Sequence, residues 1–495
     1  MVLQVSRRAC CIAAIAIFCF TLNPMTVADA GVFDDIGYTA LQTELGFSIP
    51  TGTGISVSQI EAEGSPDSGA YKPDPLNAQF VGKTFTLKSG TSDVSSHATT
   101  VGKYLYGTTD SMTGGITDIN CWLADDWVGS GFLKLGASAA PQTETQKIQN
   151  FSWIGNFSSD SSGIAAAEQT LKRFDYMIQR DNVVAVVGQN NGSSNPLPQL
   201  MGQSYNSISV GLTNGSHSHG YTTINGTGRI KPDIVVPMIA TSWASPIVSS
   251  AAALLLDKAD DLPALSNAQN SEAVKAILLA GATKDEFSDW DRTTTRPLDE
   301  QYGAGELNVQ RSYHILTDNG EQDANSFGTV ETTGWDFNTT SSDGDYYFFD
   351  VLEGQEIIEL SAVLSWNCDF DSDNWNANVP NVSLADLNLS LYQADGFSIG
   401  TLLDSSISSV DNVEHVFFDS TGCISAGRYA LEVVASGSGT DYALAWYSSL
   451  STVPVPEPGV AVTLLTLFGA CLFGLALRSQ RRLCYSRAAA STEKR

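Results

Sequence analysis

Residues 183–192 read Val183-Val184-Ala185-Val186-Val187-Gly188-Gln189-Asn190-Asn191-Gly192. Five apolar residues, four of them valine, run without a polar interruption into glycine and three amides. That pattern predicts a strand buried on both faces, the usual state of a strand inside a parallel sheet. Working outward, Ala165–Gln179 has the period of an amphipathic helix, and Ile55–Ile60, Ile208–Leu212 and Ile234–Val236 read as further strands. Two alanine-rich helices follow, from about Ser245 to Asp257 and from about Ser271 to Ala280. Strands alternating with helices over 31–316 predict an α/β domain, a parallel sheet with helices on both faces.

Past residue 316 the texture changes. Asp, Ser, Asn and Gly punctuate short runs such as Tyr346–Val351, Leu387–Tyr392 and Tyr429–Val434, which predicts an all-β sandwich over 317–450. Thr317–Asn325 reads as the linker. The chain has 495 residues, 42% of them hydrophobic and only 16% charged, ample for two cores and unlike a disordered or coiled-coil chain. Its net charge is −28. Residues 1–30 and 459–495 hold eight basic and two acidic residues, which leaves 18 basic against 52 acidic in between. So acidic a body repels phosphate backbones, and nucleic acid is excluded as a partner.

The two ends read as addresses. Arg7 and Arg8 precede an apolar run from Ala9 to Phe20, and Ala28-Asp29-Ala30 offers small residues for cleavage after Ala30, so 1–30 is expected to be a secretory signal peptide rather than a membrane span. Within 451–495, Gly459–Leu477 is 19 residues without a charge, followed by Arg478, Arg481 and Arg482. That is long enough to span a bilayer as a transmembrane helix with its basic flank in the cytoplasm. Pro456-Glu457-Pro458 stands directly before it. Triplet, span and arginine cluster together resemble the PEP-CTERM sorting signal of Gram-negative bacteria, which implies an exosortase-type partner; an ordinary tail anchor is the other reading. Either places the body at the cell surface or outside the cell.

Three cysteines lie in the body. Cys368 and Cys423 could form a disulfide within one domain in an oxidising compartment, which leaves Cys121 as a buried free thiol. No CxxC pair exists, which argues against a zinc site. Asp369, Asp371 and Asp373 alternate as in a calcium loop, but Asn374 and Pro380 stand where an EF-hand needs Gly and Glu. Structural calcium stays an open option beside a solvated acidic loop.

Five histidines bound the search for catalysis. His314 and His415 read as surface or partly buried structural side chains, and His217 and His219 form an H-x-H loop without a third ligand nearby. His97, in Ser96-His97-Ala98-Thr99-Thr100, sits among small residues at a helix start. Thr241-Ser242-Trp243-Ala244-Ser245-Pro246 follows a buried strand and opens a helix, placing a serine oxygen near the positive end of the helix dipole; an N-cap serine would look the same. The amides after Val187 can donate to a developing oxyanion, or simply form a turn.

The order of these pieces is informative. A strand ending in a carboxylate, Gly54–Glu61, is followed by His97, Asn190 and Ser242, the acid–histidine–amide–serine order of subtilisins. Phe151–Gly155 is similar to the strand that pairs with substrate, Gly228–Pro237 to the run into the serine motif, and Gly303–Val309 to its closing segment. Over about 270 residues the chain resembles the subtilisin-like serine peptidases (subtilases). The resemblance implies an exported serine endopeptidase acting on protein or peptide substrates without a cofactor. Glu61, His97 and Ser242 would be the triad, Asn190 the oxyanion donor, and Ser152, Trp153 and Gly155 the substrate strand, with Trp153 narrowing a subsite. Gln189 is the alternative amide, since it follows a glycine; Asn190 is favoured because Gly192 then falls in register.

Four departures stand out. Glu61 replaces the family's Asp, and His-Ala-Thr-Thr lacks the usual Gly and second His. Ala240 replaces a glycine, expected to crowd the turn before Ser242. About 20 residues between the signal site and the first strand leave no room for the large folding segment of many subtilases. The alternative to an active peptidase is therefore a catalytically impaired surface protein of the same fold, acting as a binding or scaffold module.

Overall fold

The computed structural model describes residues 27–64, 69–370, 382–419 and 422–452. Most of the expected signal peptide, the expected span at 459–477 and the acidic positions Asp371 and Asp373 lie outside these residues. Among the described residues no helix is long and apolar enough to cross a membrane.

Seven strands form one parallel sheet: β1 (Ser56–Glu61), β2 (Thr84–Leu87), β3 (Asp118–Leu123), β4 (Ile148–Phe151), β5 (Val184–Gly188), β6 (Ile208–Leu212) and β7 (Ile234–Val236). Their order is β2-β3-β1-β4-β5-β6-β7. Because side chains alternate along a strand, β5 serves two cores at once. Val184 and Val186 join a cluster with helix α5 (Thr241–Asp261) and α6 (Ser271–Gly281), while Ala185 and Val187 join one with Phe174, Met177 and Ile178 of α4 (Ser161–Asp181). The uninterrupted apolar run is thus explained by helices on both faces. From β1 the chain moves toward β2, and from β4 it moves the other way, so β1 and β4 flank a topological switch point. Ligands of open α/β sheets bind at the carboxyl ends of strands at such a point. Glu61 ends β1, and Ser152 directly follows β4.

The other α-helices of two turns or more are α1 (Val27–Asp35), α2 (Tyr38–Leu45), α3 (Ser96–Tyr106) and α7 (Val309–Thr317). Val32, Phe33 and Ile36 bury their side chains in the main core, which ties the first described residues to the sheet.

Helix α5 begins at Thr241, in the run read above as opening a helix and four residues before the alanine-rich stretch from about Ser245. Pro246 suggests a helix start, because proline suits a first turn. Here it stands in the second turn, where it removes the bond to the carbonyl four residues back, that of Ser242. The Ser152 hydroxyl fills the gap by donating to that carbonyl at 3.0 Å. The proline is tolerated because the strand end repairs the missing bond.

Beyond α7 the chain builds two four-stranded antiparallel sheets. β8 (Gly334–Thr339), β15 (Asp441–Thr452), β10 (Gln355–Ser365) and β13 (Val413–Phe418) are neighbours in one. β9 (Asp345–Val351), β14 (Gly427–Ala435), β11 (Leu387–Asp395) and β12 (Ser398–Ser406) form the other. Tyr347, Leu360, Trp366, Leu389, Leu431 and Trp446 fill the space between. The first sheet also packs on the α/β part: Trp335, Val363, Val413, Ala443 and Ala445 belong to the main core with α6 and α7.

Two expectations are overturned here. Cys368 and Cys423 form no disulfide; Cys368 is fully buried and Cys423 exposed. Cys368 faces the α/β part, where its N–H donates to Asn206 Oδ1 at 2.9 Å, and burial raises its thiol pKa well above the ordinary value. His415 is wholly buried rather than superficial, bonded at 3.1 Å to Ser361 Oγ, and burial pushes its pKa well below the ordinary histidine value.

Candidate active site

The carboxylate is presented by β1. Glu61 is 1% exposed, and its Oε2 lies 2.7 Å from Nδ1 of His97. The histidine occupies the first turn of α3, begun by Ser95, whose hydroxyl accepts the Ala98 N–H at 3.2 Å. Its side chain is 37% exposed, so one edge meets Glu61 while the ring remains open to solvent. Burial works against the charged imidazolium, yet the hydrogen bond and negative charge of Glu61 outweigh it and hold the His97 pKa above the ordinary histidine value. The extra methylene of Glu is therefore accommodated. The imidazole ring lies 5.1 Å from that of Trp243, centroid to centroid, and Trp243 in turn 6.4 Å from Tyr104.

Ser242 stands in the first turn of α5. Ala240, two residues earlier, has φ −151° and ψ 144°, ordinary extended backbone that alanine adopts without strain. Alanine has no capping side chain, and Asn191 supplies one from β5's end: its Oδ1 accepts the Thr241 N–H at 3.0 Å. Thr241 Oγ1 donates to the Gln189 carbonyl at 2.6 Å, clamping the strand end to the helix start. The Ser242 hydroxyl donates to the Ser152 carbonyl at 3.3 Å, and no hydrogen bond joins it to His97 among the described residues.

The three consecutive amides have different employments. Gln189 is buried and donates to the Gly202 carbonyl at 2.9 Å. Asn191 caps α5. Asn190 is half-buried, its backbone held by Ser218 through bonds of 3.1 and 2.8 Å, and its side-chain amide makes no hydrogen bond among the described residues. Gln189 thus spends its donor on the fold and Asn191 its oxygen on the helix cap, whereas Asn190 has neither end of its side-chain amide engaged among the described residues. A helix start also leaves its first N–H groups without intrahelical acceptors, the Ser242 N–H among them.

Ser152, Trp153 and Gly155 run on from β4. Ser152 exchanges two hydrogen bonds with Ser242 and receives one from Asn150 Nδ2 at 2.9 Å. Trp153 is packed among Phe157 and Leu200, with its indole N–H buried and unpaired. The Gly155 carbonyl accepts the Leu200 N–H at 3.0 Å, so that oxygen is occupied by the fold rather than kept for a substrate.

The other histidines do structural work. His217 is buried, accepts the Leu212 N–H at 3.0 Å and donates to the Gln301 carbonyl at 2.9 Å, and burial lowers its pKa to about 4. His314 pairs with Asp318 and Glu44. No cluster of three metal-ligating side chains occurs among the described residues.

Neither family models nor curated proteins match the chain. The solved structures it is similar to include three proteases. A protease of Pseudoalteromonas arctica PAMC 21717 has 13% identity and a TM-score of 0.34 over 54% of this chain and 91% of that one. MycP3 of the type VII secretion system has 16% identity and a TM-score of 0.33 over 55% and 86%. The epidermin leader peptide processing protease of Staphylococcus aureus has 12% identity and a TM-score of 0.39 over 60% and 82%. At such values the likeness carries no functional weight of its own.

Proposed function

We propose that the chain is an exported serine endopeptidase of the subtilisin-like type. The observation that carries the reading is the 2.7 Å Glu61–His97 bond at the switch point of a parallel sheet, beside a serine at a helix start. With Nδ1 held by a carboxylate, the imidazole presents Nε2 as the basic nitrogen. Catalysis requires the Ser242 hydroxyl to leave the Ser152 carbonyl and meet that nitrogen; Trp243, the next residue, already lies with its ring 5.1 Å from that of His97, and such bonds often tighten only when substrate binds. Oγ then attacks the scissile carbonyl as its proton passes to Nε2, and His97 returns the proton to the leaving amine. The Asn190 amide and the Ser242 N–H stabilise the tetrahedral oxyanion. Water attacks the acyl-enzyme by the same route, regenerating Ser242. Export and a processed C-terminal anchor rest on the sequence of the two ends.

A second reading has one observation in its favour: Ser242 Oγ donates to Ser152 and not to His97. A catalytically impaired binding module would keep it there. Reaction of the purified protein with a fluorophosphonate probe separates the two. Stoichiometric labelling, absent in Ser242→Ala and His97→Ala, is the expected result. A folded protein that stays unlabelled, with and without added calcium, would favour the binding module.

A further inference from the structure

Behind Glu61 lies a chain of buried hydrogen bonds that neither binding nor proton transfer uses directly. Gln59 precedes Glu61 by two residues on β1, so both side chains leave the same face of the strand. Gln59 is 1% exposed; its Nε2 donates to Glu61 Oε1 at 2.7 Å and to the Ala98 carbonyl of α3 at 2.9 Å. Its Oε1 accepts the hydroxyl of Tyr106, at the other end of α3 and wholly buried. Phe80 and Phe85 pack on the Tyr106 ring, and a side chain at Gly102 would strike its hydroxyl.

We infer that Gln59 and Tyr106 are positioning residues, which fix the longer Glu61 carboxylate in place against His97. This rests on the peptidase reading above. A glutamate has one more rotatable bond than an aspartate, and a misplacement of about 1 Å can cost on the order of 100-fold in rate. The relay removes that freedom. Tyr106 can act toward Gln59 as a hydroxyl donor, so it sets which end of the amide is Oε1. That leaves the NH₂ group facing Glu61 and the Ala98 carbonyl. Oε1 of Glu61 is thereby occupied, and Oε2 is left for His97. Because Gln59 also grips Ala98, the residue after His97, it ties the carboxylate and the turn that carries the histidine to one anchor.

The groups facing this chain bear on its pH behaviour. Tyr106 from α3 and Cys121 from β3 both have pKa values raised by burial, so they stay neutral where His97 titrates. Lys83 lies over the Tyr106 ring at 5.9 Å, and the charge of Lys72 acts on Cys121. On the far side of His97 stand Trp243 and, beyond it, Tyr104.

The test uses the full chain, Gln59→Met (similar volume, no donor) and Tyr106→Phe (hydroxyl alone removed). Two readouts are taken: the His97 imidazole titration by NMR, and kcat and KM on a peptide substrate. In Gln59→Met the His97 pKa falls toward or below its ordinary value, the acid limb of the kcat profile moves down with it, and kcat drops roughly 10–100-fold at little change in KM. Tyr106→Phe shifts both readouts the same way by less. A structural role alone would lower the melting temperature and leave the His97 titration in place. If both folded variants keep the native His97 pKa and kcat, the inference is wrong; should Gln59→Met fail to fold, Tyr106→Phe decides alone. The NMR titration stands even if native Ser242 proves unreactive, so loss of the peptidase reading and loss of the relay are told apart.

Discussion

Glu61 is the residue on which the site departs most from the family it resembles, and its surroundings decide what the departure means. Both carboxylate oxygens are satisfied, one by His97 and one by Gln59, each at 2.7 Å. Shortening the side chain by one methylene must break one of these bonds or stretch both. Glu61→Asp, which restores the family residue, is therefore expected to lower kcat about tenfold or more, since a productive site tolerates only ~0.5 Å of error. Steady-state kinetics on the two proteins decides it; an Asp variant faster than the native protein would show that the site is a damaged subtilase rather than one built around glutamate. The sequence made Glu61, His97 and Ser242 legible because their order and their strand-end and helix-start contexts are local features. Gln59 lay in view two residues before Glu61, where same-face spacing was the available signal, but its use depends on Tyr106 reaching it across 47 residues of chain. Trp243 against His97 was hidden for the same reason: the contact is tertiary.

At the level of elements, the joint between the end of β5 and the start of α5 holds the nucleophile. Three adjacent amides there look interchangeable in sequence, and tertiary bonding separates them. Asn190→Ala is expected to lower kcat by 10²–10³, roughly the loss of an oxyanion donor, while leaving stability nearly unchanged. Asn191→Ala removes the cap on Thr241 and is expected to cost about 1 kcal/mol of stability, with a smaller loss of rate. Paired urea denaturation and kinetics on the two variants check this, and the reverse pattern would assign the oxyanion role to Asn191. Strands β5 and β7 could be read because strands buried on both faces carry no polar residue to blur them, and β6 is interrupted only by Ser209, whose hydroxyl is spent on Asp233. What could not be read was how α5 tolerates Pro246 in its second turn, because the Ser152 hydroxyl that takes over the carbonyl left unbonded comes from a distant strand end.

At the scale of the whole molecule, the change of texture near residue 317 marks a change of architecture but not a loose joint. The sandwich shares the main core with α6 and α7, and bonds such as Asn412 Nδ2 to the Tyr205 carbonyl at 3.0 Å and Arg311 to Glu359 at 2.6 Å cross the seam. Sequence patterning reports which face of a strand is apolar and not what covers it, so this packing was invisible. The seam also contains Lys284, an amine among Trp290, Phe417 and the Ser361 hydroxyl. Burial lowers its pKa to about 7, partly offset by the charges of Glu359 and Asp285 and reinforced by that of Arg311. Folding thus holds this amine below its unfolded pKa of about 10.4. The unfolded chain binds more protons between those values, so this group's favourable share of stability is complete at high pH and is lost as pH falls toward 7. Lys284→Met keeps the length and removes the titration. The difference in melting temperature between the variant and the native protein should therefore be largest near pH 7, in favour of the variant, and shrink toward pH 9, because every other titrating group cancels in the comparison. Calorimetry at the two pH values measures it. A difference that does not change with pH would mean that the amine is solvated and the seam open, which would make the sandwich a separable attachment rather than part of one core.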